Sequence, residues 1–443
     1  MKFSPQQILV FGFAGVILIG SVILSLPVSS ATLQPVNFVD ALFTATSAVC
    51  VTGLIVVNTA TQWSLFGKII ILFLIQIGGL GYMTLATLFV IMLGKQISLK
   101  DRLAFAEGMQ TFSFVEIKRF IVYVVKITIV IEFAGALILS IKWVPEFGIV
   151  KGFWYSIFHS VSAFCNAGFS IFEMNLSNYV GSIPVNLGVT SLTILGGIGY
   201  IVMSDMYSYK KTKRLLLHTK VAIFTTAVLI ISGAVLIFLL ENNNPSTLGL
   251  LTLKNKLLSA YFQSVASRTA GFNTIDISAL TAPVLFLIIG LMFIGASPSG
   301  TGGGIKTTTF ATIFASIKAT LKGRKSVTIF KRRISAEIVQ KSFILGCLAF
   351  VFVSAMTFLI LIIEGKDFIR TLFEVVSAFA TCGLSAAVGT PLSFSSFFTP
   401  LGKLLIILTM FVGRLGPLTI AIAVMEENGA EKFHYAEDKV IVG

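Results

Sequence analysis

Long uncharged or nearly uncharged runs alternate with short polar loops along this chain. Eight of them are of spanning length: Ile8–Leu26, Ile69–Leu93, Phe120–Ile141, Val185–Met203, Val221–Leu240, Ala282–Ile305, Ser342–Ile363 and Leu404–Val424. A helix rises 1.5 Å per residue, so each run is long enough to cross a hydrocarbon layer of roughly 30 Å. The runs pair off, and inside each pair sits a shorter segment. The four short segments resemble one another: FVDALFTATSAVCVTGL, FWYSIFHSVSAFCNAGF, LLSAYFQSVASRTAGF and IRTLFEVVSAFATCGL. Each reads as an amphipathic helix of about three turns, then a non-helical stretch, then a glycine. Aligned, they place Gly53, Gly168, Gly271 and Gly383 at one position that recurs about every 110 residues, which marks an internal repeat.

The pattern predicts an all-α polytopic membrane protein of four tandem helix–pore helix–helix repeats around a central pore, as in potassium channels, with eight transmembrane helices. The repeats fall at 1–94 (pore loop 38–54), 117–208 (pore loop 152–169), 219–320 (pore loop 255–272) and 338–425 (pore loop 368–384), followed by a tail at 426–443. The short helices cannot cross a bilayer and must dip in and return. Non-helical backbone at that depth is tolerated only against protein or a water-filled cavity, a condition that four loops meeting on one axis satisfy.

Composition agrees with this picture. Of 443 residues, 56% are hydrophobic and 12% charged, against about 25% charged in soluble proteins; mean hydropathy is +0.94. The net charge of +14 does not point to nucleic acid, because the basic residues gather in short loops between apolar runs. Loops 94–119, 205–220 and 318–341 hold 18 of the 33 lysines and arginines. That excess puts these loops and both termini in the cytoplasm and opens the glycine loops to the outside. The first run lacks a small-residue cleavage site and reads as a span, not a signal peptide. The four cysteines form no CxxC and histidine occurs three times, so neither a transition-metal site nor a histidine-based active site is expected.

The loop residues are Cys50-Val51-Thr52-Gly53, Cys165-Asn166-Ala167-Gly168, Arg268-Thr269-Ala270-Gly271 and Ala380-Thr381-Cys382-Gly383. Their side chains share little beyond being small or uncharged, which makes the backbone the working part. Glycine permits φ > 0, a conformation that turns carbonyls toward an axis. Rings of carbonyls replace the hydration shell of a cation, and the negative ends of four pore helices favour the same charge. Arg268 is the exception; its side chain is expected to turn away behind the loop.

The third inner run ends in GASPSGTGGGIKTTT, residues 295–309. A P-loop, G-x-x-x-x-G-K-[ST], needs glycine before its lysine; Ile305 precedes Lys306 here, and no βαβ unit surrounds it. Proline and a glycine run do not favour a helix interior. The segment Ser297-Pro298-Ser299-Gly300-Thr301-Gly302-Gly303-Gly304 is therefore expected to break the span below the filter and plug the path, with Lys306 either anchoring its inner end or reaching the interface, and helix resuming toward Lys318. Arg414 is the one charge between Leu404 and Val424. A central arginine costs roughly 2.5–3.5 kcal/mol on insertion scales, so it should face the interior, where it raises a barrier to cations or donates to the loop. Glu132 calls for a partner that the sequence does not name, and Lys126 is expected at the cytoplasmic interface.

The four-fold repeat, the single glycine per pore loop and the stretch SRTAGFN (267–273) together resemble the Ktr/Trk/HKT superfamily of cation transporters over essentially the whole chain. The short form is most similar to the Ktr-type bacterial membrane subunit. The resemblance implies potassium as permeant ion, because Gly53 stands where sodium-preferring relatives carry serine. It implies an intramembrane gating loop in repeat three and places Arg414 in the ion path. It further implies a homodimer of two separate pores in the bacterial plasma membrane, on a cytosolic ring that carries the only nucleotide (ATP or ADP), with the tail GAEKFHYAEDKVIVG reaching a neighbouring protomer. No covalent cofactor and no enzymatic activity are expected. Anionic lipid head groups are a second partner for the basic loops, most strongly 322–333. Sodium-coupled symport and channel behaviour both stay open, as does a sodium-selective or poorly selective transporter of the same build. A P-loop ATPase pump and a broken-helix solute carrier are the readings from other classes.

Overall fold

The computed structural model describes residues 5–81 and 114–424. The tail 426–443, most of the first basic loop and the end of the Ile69–Leu93 run lie outside the described residues. The described chain is mostly helical. Its helices are α1 (Pro5–Ser25), α2 (Phe38–Val49), α3 (Thr59–Gln62), α4 (Leu65–Leu80), α5 (Phe114–Phe147), α6 (Ile149–Phe164), α7 (Ile183–Ile198), α8 (Tyr200–Thr212), α9 (Leu217–Glu241), α10 (Leu253–Ala266), α11 (Ala282–Phe293), α12 (Thr307–Leu321), α13 (Ala336–Glu364), α14 (Phe368–Phe379), α15 (Pro400–Leu415) and α16 (Pro417–Val424).

Among the described residues four helices, α1, α5, α9 and α13, are long and apolar enough to span; counting each bent pair as one span raises the number to six. The sequence predicts eight spanning runs, the third inner one broken; the described residues account for four to six of them. The inner runs are not continuous. Run two turns by 94° between α7 and α8, and run four by 96° between α15 and α16. The turning residues are Gly199 (φ +97°) and Gly416 (φ +89°), and Gly81 ends α4 with φ +77°. A non-glycine residue resists that region. In the third run helix stops at Phe293 and resumes at Thr307. The second, third and fourth inner segments therefore break, not only the one whose sequence announces it, and the first inner helix ends at Gly81, the last described residue of its run.

Local chemistry places the ends. Pro184, Pro283 and Pro400 sit in the first turn of the second, third and fourth inner helices, where a missing N–H costs nothing. The Asn37 side chain accepts from Val39 N at 2.9 Å and starts α2; Asp367 does the same for α14, accepting from Arg370 N at 3.0 Å. Glu241 and Glu364, at the C-terminal ends of α9 and α13, each accept from the N and Oγ1 of a threonine, Thr281 and Thr399, before the next inner helix.

Each outer helix packs on the pore helix of its own repeat, α1 on α2, α5 on α6, α9 on α10 and α13 on α14. Each inner helix packs on the pore helix of the following repeat: α4 on α6, α7 on α10, α11 on α14 and, closing the circle, α15 on α2. Lys403 of α15 pairs with Asp40 of α2 at 2.7 Å across that seam. The outer surface is rich in large apolar side chains, and many hydroxyl side chains are buried within the core. Phe11, Phe133, Phe224 and Phe358 face outward, whereas Thr46, Ser162, Thr269 and Ser377 are buried. A protein solvated by lipid distributes its residues this way.

Between α12 and α13 a short hairpin forms, β1 (Thr328–Ile329) antiparallel to β2 (Arg332–Arg333). Phe330 and Lys331 turn it with φ +48° and +60°, as tight hairpin turns require.

Candidate functional site

The four pore helices end in one geometry. Cys50, Cys165 and Ala380 close α2, α6 and α14 in right-handed conformation. The next residues, Val51, Asn166 and Thr381, have φ of +51°, +57° and +50°, and Thr269 in repeat three has +68°. Two residues on, the glycines are again positive: Gly53 +93°, Gly168 +68°, Gly271 +74° and Gly383 +90°.

The glycines meet in a closed ring. A Cβ placed on Gly53 would lie 2.5 Å from Ala167 O; on Gly168, 2.9 Å from Ala270 O; on Gly271, 2.5 Å from Cys382 O; on Gly383, against Thr52 O. Each contact passes to the following repeat and the last returns to the first. Only glycine allows four backbones to approach so closely. The structure thus brings together the four loop segments expected from the sequence. Serines brace the ring from behind. Ser47 Oγ accepts from Gly53 N and Ser377 Oγ from Gly383 N, both at 3.0 Å, and Ser162 Oγ donates to Phe169 O at 2.8 Å. The third repeat has Val265 there. Its loop is held instead by the Asn166 amide, bonded to Thr269 Oγ1 at 2.9 Å across the repeat boundary.

Above the ring lies a vestibule of about 360 Å³ floored by all four glycines. Glu173 and Asp276 are among its lining residues and favour cations there. Glu374, buried in α14, shapes one wall by accepting from Ser385 Oγ at 2.6 Å, Ser395 Oγ at 2.7 Å and Ser395 N at 2.9 Å.

Below the ring runs the segment from Gly295 to Lys306. Its neck is zipped: Ala296 N donates to Gly303 O at 3.3 Å, Ile305 N to Phe293 O at 3.2 Å, and Ser297 Oγ meets Thr307 Oγ1 at 2.8 Å. Its body touches repeats two, three and four. Ser297 N donates to Gly197 O at 2.9 Å and Tyr200 N to Ser299 O at 3.2 Å, so Pro298 and Ser299 rest on the bend at Gly199. Thr301 Oγ1 donates to Phe164 O at 3.3 Å, at the end of the second pore helix. Gly303 N donates to Thr381 Oγ1 at 2.8 Å, and Gly302 abuts the Thr269 side chain. Thr301, Gly302 and Gly303 are buried; Gly300 and Gly304 are half-buried.

Three cations hold this segment. Arg414 donates through Nη1 to Thr301 O and through Nη2 to Gly78 O, joining the fourth and first inner helices to the loop. Lys306 Nζ donates to Gly302 O at 2.7 Å. Arg268 turns behind its own loop, and Nη2 donates to Gly295 O at 2.8 Å. The Glu132 carboxyl lies by Gln76 and the Cys165 thiol, with Sγ 3.7 Å from Oε1. Lys126 is exposed on α5.

The bracing serines and the bend glycines were missed from the sequence, although both carried a signal. Serine stands six residues before the ring glycine in three repeats. The helix ends at Gly81, Gly199 and Gly416 share GGLG, GGIG and GRLG, in which Arg414 takes the place of Gly79 and Gly197.

Residues 14–434 match the family described as TrkH, cation transport protein. The Ktr system potassium uptake protein B of Bacillus subtilis is 41% identical over 443 residues, covering 100% of this chain and 98% of that protein. The potassium/sodium uptake protein NtpJ of Enterococcus hirae is 38% identical over 450 residues, with coverages of 100% and 98%. Among solved structures, the potassium transporter TrkH from Vibrio parahaemolyticus superimposes with a TM-score of 0.70 at 19% identity, covering 94% of this chain and 84% of that one.

Proposed function

The chain belongs to the TrkH cation transport protein family, and from that premise we propose that it takes potassium ions through the plasma membrane along the axis of the glycine ring. It is a multi-pass membrane protein of the Ktr/Trk type, a transporter subunit and not an enzyme. The observation that carries the proposal is the closed circle of contacts among Gly53, Gly168, Gly271 and Gly383. A cation entering from the vestibule loses water and needs oxygen ligands at each step. The backbone oxygens of residues 50–53, 165–168, 268–271 and 380–383 supply them with no side-chain charge, and four pore-helix C-termini add partial negative charge.

The segment Ser297–Gly304 is the gate. It crosses the path directly under the ring and is held by hydrogen bonds that a moving loop can release one by one. Arg414 both bonds the loop and sets a positive charge beneath the ring, which opposes cation passage while the loop is in place. Lys306 ties the loop to α12, and α12 leads to the exposed basic hairpin at Thr328–Arg333. That order supports control from the cytoplasm. A cytosolic nucleotide-binding partner acting on this face moves α12 and so the loop, and anionic lipid head groups bind the same arginines and lysines. Two copies of the chain form the working unit.

Flux into liposomes holding the purified full chain, measured with potassium, rubidium and sodium, tests the reading. Potassium and rubidium enter faster than sodium if it is right. Sodium belongs in the assay because the Enterococcus relative is named for both ions. Sodium entry that outpaces potassium assigns the chain to the sodium-preferring alternative. Absence of flux for all three, with or without cytosolic extract, removes the transport reading.

A further inference from the structure

Arg268 is the one charged side chain in the four ring segments, and among the described residues no carboxylate pairs with it. The residue is 6% exposed. Nη2 is satisfied by Gly295 O at 2.8 Å, but Nη1 finds no protein acceptor among the described residues. A buried guanidinium donor without a partner is costly, more so than a neutral one. Beside it is a cavity of about 20 Å³ whose lining includes Thr193, Gly197, Thr226, Arg268 and Ala296. Thr226 Oγ1 is likewise buried without a partner. Thr193 Oγ1 makes one long bond, donating to Ala163 O at 3.5 Å, and keeps its acceptor capacity.

A cavity of roughly 10–15 Å³ or more holds one water, provided two to four polar groups surround it. The volume suffices, three polar side chains are among the lining residues, and Arg268 and Thr226, which carry the two unpartnered atoms, both border the same small space. We propose that this cavity is a water site, and that Arg268 with its water latches the neck of the gating loop to the filter of repeat three. The water accepts from Arg268 Nη1, bonds the Thr226 hydroxyl on α9 and donates to Thr193 Oγ1 on α7. Arg268 Nη2 meanwhile fixes Gly295, where the inner helix gives way to the loop. The backbone of Arg268 is part of the ring, its side chain holds the loop's entry, and the water secures that side chain to the two helices around it. Arg268 is thus a positioning residue that joins filter and gate. This inference rests on the gating reading above.

Two measurements on the full chain test it. A cryo-EM map that resolves other buried waters should show density within hydrogen-bond reach of Arg268 Nη1 and Thr226 Oγ1; a bare cavity in such a map overturns the proposal. In liposomes, Thr226→Val removes one partner of the water at constant side-chain shape. Maximal potassium flux should rise about fivefold, equivalent to losing one ordinary hydrogen bond of ~1 kcal/mol. Half-saturating potassium and the potassium-to-sodium ratio should stay at wild-type values, which a general loosening of the fold would alter. Thr226→Ser keeps the hydroxyl and should restore wild-type flux. A Thr226→Val flux equal to wild type overturns the latch. Wild-type protein that carries no potassium defeats the transport reading instead, and leaves the water to be decided by the map.

Discussion

Replacing Gly53 with alanine places one methyl group in the tightest part of the ring. The residue has φ +93°, a region that costs an L-residue about 1–2 kcal/mol. The new Cβ would lie 2.5 Å from Ala167 O and 3.0 Å from Gly168 Cα. Carbon contacts are optimal near 3.5–4.0 Å, so the second loop must retreat by on the order of 0.5–1 Å. Overpacking of this kind costs typically 1–3 kcal/mol. Together the terms amount to roughly 2–5 kcal/mol, and the ring relieves them by splaying. If only about 2 kcal/mol of it is expressed in the barrier to a dehydrated ion, potassium flux falls about 30-fold, since ~1.4 kcal/mol is a factor of ten. Gly290→Ala is the control, because its Cβ would meet no heavy atom within 4 Å in the interior of α11; its flux should stay within about twofold, alanine being the better helix former. Liposome uptake of potassium and rubidium measures both. Gly53→Ala protein that matches wild type in flux and selectivity would falsify the account of the ring.

Three further outcomes are expected. Arg414→Ala removes two charge-assisted hydrogen bonds, to Thr301 O and Gly78 O, each of about 1.5–3 kcal/mol; cation flux should rise on the order of tenfold or more, and unchanged uptake kinetics would take Arg414 out of the gate. Lys403→Met breaks the ion pair with Asp40 that closes the ring between α15 and α2; the partly screened site should cost about 1 kcal/mol, seen as a lower unfolding temperature in detergent with ion selectivity kept, and an unaltered melt would show the seam holds without it. Glu374→Gln turns an acceptor of three hydrogen bonds into a group that also presents donors to Ser385 and Ser395; loss of about 1–3 kcal/mol should loosen the vestibule wall and speed hydrogen exchange at residues 385–395, whereas wild-type exchange there would deny Glu374 its role.

The sequence carried the repeat plainly, because a pore helix is written in amphipathic spacing and its end in a glycine, and four copies reinforce one another. The turn of Arg268 away from the ring was likewise legible from chemistry, since a guanidinium among carbonyl ligands would repel the cation. The helix end at Gly81 and the bends at Gly199 and Gly416 were not. Each glycine in an apolar run costs only about 1 kcal/mol as helix, so hydropathy reads straight through two or three of them; at Gly199 the break is met by Pro298 and Ser299 of the next repeat. The glycine-rich run in repeat three differs in having too many helix breakers to ignore. The place of Arg414 was half visible: its isolation in an apolar run required an inward side chain, while its two carbonyl partners come from segments far apart in sequence, at Gly78 and Thr301. The partners of Glu132, on the first inner helix and the second filter loop, were hidden for the same reason.

The central claim is that four backbone turns from one polypeptide share an axis and ligate a bare alkali cation. Anomalous diffraction from the protein prepared in rubidium tests it most directly. The account predicts rubidium peaks on the axis encircled by residues 50–53, 165–168, 268–271 and 380–383. Rubidium found only off that axis, or a ring that stays free of it at saturating concentration, would contradict the account.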